Sequence, residues 1–275
     1  MRRNQPLWIV MRLCAAIVAS AIIFSPLYFI LIGGMMDDAE INRRPPYIVP
    51  PHPTLQHYID VIQLMKISFL NTLIIALGVT ILSLIIAIPC SFGLTMLRSR
   101  LGAYLSGLFA LVQVLPAVAV VIPLFLVFYK LHLLNNHLSV VLAVSGFSIP
   151  FATLVLTAYM KSIPRSLIEA AQVDGASLTR ILWAVVLPLA KPGIATAALL
   201  VFMQGWSNFV FPAAFLQKGD VQPVSVSLFV FISQYGVRWN RLMAASALYS
   251  LPPVLAVIIA GKRIVEGLLA GATKE

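Results

Sequence analysis

Long apolar runs separated by short polar stretches dominate this chain. Six of them, at residues 13–34, 69–97, 101–128, 138–160, 193–216 and 242–261, are long enough to cross a hydrocarbon layer as helices, because about 20 apolar residues cover the core of a bilayer. None of the six contains Asp, Glu, Lys, Arg or His. The pattern predicts an all-α polytopic membrane protein in which six transmembrane helices form a single transmembrane domain over residues 1–275. Ion-coupled carriers usually need ionisable groups at membrane depth, so charge-free spans weigh against that class.

The runs are not uniform. Pro26, Pro89, Pro116, Pro123, Pro150, Pro212, Pro252 and Pro253 lie within them, and each removes a helical hydrogen bond that lipid cannot replace. They read either as kinks in a tight bundle or as breaks lining a pathway. Asn71, Gln113, Gln204, Trp206 and Asn208 are also placed in or beside the spans. Such residues serve interhelical hydrogen bonding or interfacial anchoring, or they contact a neutral polar solute, for which they are the substrate-path candidates. Between the first two spans comes a Pro-rich loop, then PTLQHYIDVIQLM, an amphipathic stretch expected to lie along the membrane surface. His52 and His57 in this region are too few to ligate a metal and are expected at the surface.

The largest polar interruption is at residues 161–192, between the fourth and fifth runs. Pro164 suits a helix start, and Leu167, Ile168 and Ala171 give one apolar face. Asp174-Gly175 then breaks the helix. Ser177 is a natural N-cap for a second helix, on which Leu178, Ile181, Leu182, Val185, Val186 and Leu189 recur at helical spacing. Pro188 and Pro192 are expected to end or kink it. The insert is therefore a helix, a glycine corner and an amphipathic helix, whose apolar stripe packs on the chain's own spans or docks a soluble partner.

Composition closes off several classes. With 60% hydrophobic and 10% charged residues and a mean hydropathy of +0.97, the chain lacks the charged surface a soluble domain needs. The net charge of +10 belongs to loops rather than to a nucleic-acid site, since no basic stripe with interleaved aromatics is present. With the N-terminus inside, 12 of the 19 basic residues fall in inside segments and 7 outside, which favours both termini in the cytoplasm. Arg2, Arg3 and Arg12 followed by Ala19-Ser20-Ala21 resemble a signal peptide, but the apolar run continues to Gly34, so an uncleaved first span is expected. Cys14 and Cys90 lie in apolar runs and read as small core hydrophobes.

The insert carries a spaced motif: Glu169-Ala170-Ala171, three residues, Gly175, nine residues, then Val185-Val186-Leu187-Pro188. It resembles the EAA signature of the permeases of ABC importers, with Val in place of Ile. PTLQHY, Asn71-Thr72, GWSNFVFP, WNRLMAAS and KRIVEGLLAGATK resemble the carbohydrate-uptake, MalG-like branch. The resemblance extends over nearly the whole chain. It implies a multi-pass protein of the bacterial plasma (inner) membrane, forming half of a sugar pathway beside a second, MalF-like permease. Two copies of a cytoplasmic ATPase would dock on the insert, and an extracytoplasmic solute-binding protein would deliver the sugar. By the same resemblance Glu169, Ala170, Ala171, Asp174, Gly175, Leu187 and Pro188 are ATPase-coupling positions, while Gly267 and Gly271, in a cytoplasmic tail over 262–275, contact the ATPase pair. No G-x-x-x-x-G-K-[ST] is present, so ATP and Mg belong to the partner, no cofactor or metal is expected on this chain, and it is a transporter subunit rather than an enzyme. A permease for a polyol, an amino-sugar or a glycerol phosphate ester, or a stand-alone channel or carrier, remain the alternatives.

The charge bias makes the topology testable. Single cysteines at Asn135 and Gly219 should react with a membrane-impermeant reagent added outside, and one at Ala272 should not; labelling of Ala272 from outside would overturn the six-span scheme.

Overall fold

The computed structural model describes residues 5–97, 100–234 and 236–272, and their side chains except at 5–7, 10 and 260–272. In chain order its helices are α1 Gln5–Gly33, α2 Asp38–Ile41, α3 Gln56–Met96, α4 Arg100–Val114, α5 Ala117–Lys130, α6 His137–Lys161, α7 Arg165–Val173, α8 Leu178–Ile181, α9 Leu187–Trp206, α10 Val210–Phe215, α11 Val224–Ser227 and α12 Trp239–Ala272. A two-residue hairpin pairs β1 Ile232–Ser233 with β2 Gly236–Val237. Among the described residues five helical stretches are long and apolar enough to cross a membrane, and the pair α4–α5 makes a sixth if counted as one span.

Three expectations need correction. Residues 101–128 do not form one straight span: α4 and α5 meet at 91°. Pro116 caps α5 with extended backbone, φ −68° and ψ 123°, and its ring disfavours helix at Leu115; an unbroken apolar run concealed an interrupted backbone. The amphipathic stretch before the second run is not a separate surface helix, because Gln56–Met96 is one helix. Cys14 and Cys90, expected in the core, are exposed. The helix α12 runs on through the tail to Ala272. Gly267 and Gly271, expected to contact the ATPase pair, fall in the 260–272 stretch, whose side-chain surroundings lie outside the described residues.

Other prolines sit inside helices, as at Pro26 in α1. There Ser25 Oγ donates to the Ile22 carbonyl at 2.9 Å, the acceptor that Pro26, four residues on, cannot serve. A neighbouring hydroxyl thus fills a gap that lipid would leave open.

The chain falls into two compact units. Within Met1–Lys66 and Leu228–Leu251, side chains tie the loops to helix ends. Tyr58 OH donates to the Leu31 carbonyl at 2.7 Å, and Tyr28 OH to the Ile48 carbonyl at 2.7 Å. Asn240, 2% exposed, donates to Asp38 Oδ1 at 2.9 Å and lies 3.2 Å from His57 Nε2, while Arg241 pairs with Asp60 at 3.2 Å. His52 is at the surface, 3.0 Å from Glu40; His57, expected there too, is half-buried.

Within Ile67–Ser227 and Pro252–Glu275, the core is built from Ile75 and Val79 of α3, Val140, Val144 and Leu156 of α6, Ala197 and Val201 of α9, and Phe211 and Phe215 of α10. Lipid is as apolar as leucine, so close approach of backbones must supply much of the cohesion. A Cβ on Gly205 would fall 2.9 Å from Ala76 Cα, so α9 and α3 approach there as only glycine permits. Polar residues add specific ties. Ser68, Asn71 and Thr72 form one face of α3 (i, i+3, i+4). Ser68 Oγ lies 2.9 Å from Ser227 Oγ, Asn71 Nδ2 donates to the carbonyls of Asp220 and Gln222 at 2.9 and 3.2 Å, and Thr72 Oγ1 accepts from Val224 N at 2.9 Å.

Gly205→Val should therefore destabilise the protein by about 1–3 kcal/mol through overpacking. Gly146→Ala, with open space around its added methyl, should be neutral or slightly stabilising. Thermal unfolding in detergent checks both; equal melting of the Gly205 variant and the parent would remove the close contact from the account.

Candidate functional site

The insert leaves α6 at Ser162 and turns through Pro164 into α7, Arg165–Val173. At its end Asp174 N donates to the Ala170 carbonyl at 3.0 Å, Gly175 N to Gln172 at 3.0 Å and Ala176 N to Ala171 at 3.0 Å. This closing turn requires a left-handed residue, and Gly175 provides it with φ +75°. No atom would obstruct a Cβ there, so the demand for glycine is one of backbone conformation alone. Ser177 Oγ then accepts from Arg180 N at 3.3 Å, the N-cap its position predicts, worth ~1 kcal/mol.

Neither Pro188 nor Pro192 ends the second helix. Leu182–Val186 form a π turn, after which α9 continues from Leu187 to Trp206. Leu187 N donates to the carbonyl of Leu182, five residues back, which resets the hydrogen-bond register one residue before Pro188, whose nitrogen has no hydrogen to give. Both prolines stay within a continuous helical rod.

Apolar packing fixes the insert to the spans. Ile168 of α7, Ile181 of α8, Leu182 and Val186 of the π turn, and Ala190 of α9 form one buried cluster with Phe92, Met160 and Ile163. Ala171 and Leu187 pack against it. The apolar stripe is thus used internally, but incompletely. Leu167 and Leu189, placed on the stripe by their spacing, are exposed, and so is Leu178 at 57%. Val173 at 88% and Trp183 at 70% are exposed as well. Helical periodicity does not separate two apolar faces on one short element, which is why this outward set was not legible beforehand. Glu169, Ala170, Asp174, Gly175 and Pro188 are exposed too. Glu169, Ala170 and the glycine corner are therefore exposed, while Ala171 belongs to the fixed base.

The substrate-path candidates are scattered. Asn71 holds the loop at 220–222 as described. Gln113 Nε2 donates to the Phe147 carbonyl at 3.0 Å, and Gln204 Oε1 accepts from Ser148 Oγ at 2.7 Å, so both amides meet α6 one residue apart. Trp206 is buried, its ring 5.6 Å from that of Phe202. Asn208 Oδ1 accepts from Phe211 N at 3.3 Å at the start of α10, and its carbonyl accepts from Ser225 Oγ at 2.8 Å. Among the described residues no group of three or more His, Cys, Asp or Glu side chains could hold a metal ion.

Residues 85–268 match the family model described as binding-protein-dependent transport system inner membrane component. The sulfoquinovosyl glycerol transport system permease protein SmoH of Agrobacterium fabrum is 30% identical over 251 residues, 90% of this chain and 88% of that protein. The trehalose/maltose transport system permease protein MalG of Thermococcus litoralis is 28% identical, with 99% of each covered. Among solved structures, a chain of a bacterial ABC transporter involved in the import of the acidic polysaccharide alginate superposes with a TM-score of 0.79 at 24% identity, over 95% of this chain and 98% of that one. At that identity the likeness establishes the fold.

The left-handed corner generates a direct expectation. Gly175→Val should cost about 1–2 kcal/mol in backbone strain, without a steric clash. Limited proteolysis should cut the 172–178 stretch faster in the variant while the spans keep their melting temperature; unchanged proteolysis would mean that the corner does not depend on glycine.

Proposed function

Since this chain belongs to the family of binding-protein-dependent transport system inner membrane components, we propose that the solute its importer carries is a sugar and that the insert is the lever through which ATP hydrolysis moves the spans. The chain itself is the permease of an ABC importer, a multi-pass inner-membrane component that works with a solute-binding protein; it is not an enzyme, and a separate ATPase uses the ATP. The sugar assignment rests on relatives whose names specify a sulfoquinovosyl glycerol and trehalose/maltose. The full assembly we envisage holds this chain, a second and different permease, two ATPase copies and the binding protein, with both termini of this chain in the cytoplasm.

The observation that carries the lever is the two-sided insert. Its inner face is locked to Phe92, Met160 and Ile163, so a force on α7 and α8 reaches the ends of α3, α6 and α9 without a slack joint. Its outer face presents Glu169, Ala170 and the glycine corner among exposed apolar side chains, a surface suited to burial against a partner. Closure of the ATPase pair on ATP would draw this rigid element along and rock the spans between outward and inward openings. In this scheme Glu169 meets a cation in the ATPase cleft, Ala170 and Ala171 permit close approach, Asp174 and Gly175 hold the corner, and Leu187 and Pro188 join the lever to α9. Gly267 and Gly271 lie on a C-terminal extension that touches the same ATPase pair. Asn71, Gln113, Gln204, Trp206 and Asn208 are the positions offered to the solute.

Glu169→Lys is the deciding variant. Leaving a buried partner cation unpaired costs about 3 kcal/mol, a loss of roughly a hundredfold in affinity. ATPase capture by the purified permease pair should fall by that order and uptake into vesicles should stop, with melting unchanged. Capture and uptake at the parent level would show that the insert is only a structured loop.

A further inference from the structure

A groove of about 450 Å³ opens beneath the insert, where α3 and α6 end. Its lining divides in two. Met96, Met160, Ile163 and Ile168 form an apolar floor with Thr95 buried beside them, and Lys161, Arg165, Gln172 and Leu178 form the exposed part of the lining. Lys161 is the last residue of α6 and Arg165 the first of α7, so the two cations flank the turn between them. Both are exposed. The Pro164 cap supplies no side-chain hydrogen bond to the start of α7, and its carbonyl accepts from Leu167 N at 3.2 Å, so the positive end of that helix lies beside the cations. Glu169, the one carboxylate lining the groove, has an interaction of its own.

We propose that this groove binds an anionic phospholipid, its phosphate held by Lys161 and Arg165 and its upper acyl chain lying on the methionine and isoleucine floor. Three features converge on that ligand. The groove sits where two candidate spans end. Its two cations line one groove at the helix ends, and basic pockets between spanning helices recognise lipid phosphates. Its floor is apolar, which a free phosphate could not use. The site also shares Ile168 with the cluster that fixes the insert, so an occupying lipid would stiffen the same lever. The lipid's effect on transport therefore rests on the lever reading above, whereas lipid binding itself does not.

The test uses the assembled importer in nanodiscs of phosphatidylcholine with or without phosphatidylglycerol, with retained lipid read by native mass spectrometry. The parent should retain phosphatidylglycerol in preference to phosphatidylcholine. Lys161→Gln and Arg165→Gln should each lower that preference about fivefold, the amount expected for one basic side chain near an anionic surface. Lys161→Gln should still capture the ATPase. Retention by both variants at the parent level would overturn the site. So would displacement of the lipid signal by millimolar inorganic phosphate, which would make it a free-anion site. Lost ATPase capture with unchanged lipid retention would overturn it too, by assigning these cations to the protein interface. Failure of the lever reading shows separately, in the Glu169→Lys capture experiment.

Discussion

In a hydrocarbon layer no water is available to an unpaired backbone amide, and each orphaned group there costs several kcal/mol. That single constraint organises this protein. It forces the apolar runs into helices and makes every proline a local problem to be solved. Ser25 solves one with its hydroxyl. The π turn at Leu182–Val186 solves another by shifting the hydrogen-bond register just ahead of Pro188. At Pro116 the helix gives way, and the chain turns through 91°. The longest non-helical stretch among the described residues is the Pro-rich loop at 42–55, where polar residues show that water returns.

Much of this was legible in the chain. Spacing gave the two-helix insert, the glycine corner and the Ser177 cap, because each depends on local chemistry: a positive φ, a hydroxyl at a helix start, an apolar repeat. What was not legible depended on partners distant in sequence. Hydropathy cannot distinguish a continuous span from one broken at Pro116, since both are equally apolar. The joining of PTLQHYIDVIQLM to the second span was hidden for a related reason: amphipathicity suggested a surface, but nothing between Gln56 and Phe69 breaks a helix.

The polar side chains within apolar runs show the same division. Composition marked Asn71, Gln113, Gln204 and Asn208 as unusual, and the structure gives each a hydrogen-bonding partner. The row Ser68, Asn71 and Thr72 works as a fastener between α3 and the 220–227 stretch. Asn240 is almost fully buried and joins α12 to Asp38 and His57. Its only sequence signal was an amide beside an arginine at the mouth of an apolar run, a pattern too common to interpret without the fold.

The continuity of α8, the π turn and α9 has a mechanical consequence. From Leu178 to Trp206 they make a near-unbroken rod of 29 residues, about 43 Å long at ~1.5 Å per residue. Such a rod behaves as a see-saw. If it tilts about its midpoint by ~5°, its two ends move in opposite directions by about 2 Å each. One end carries the exposed Leu178 and Trp183; the other carries Gln204 and Trp206. Were the rod stiff, a displacement applied at its Leu178 end would reach its Trp206 end with its sign reversed and its size preserved.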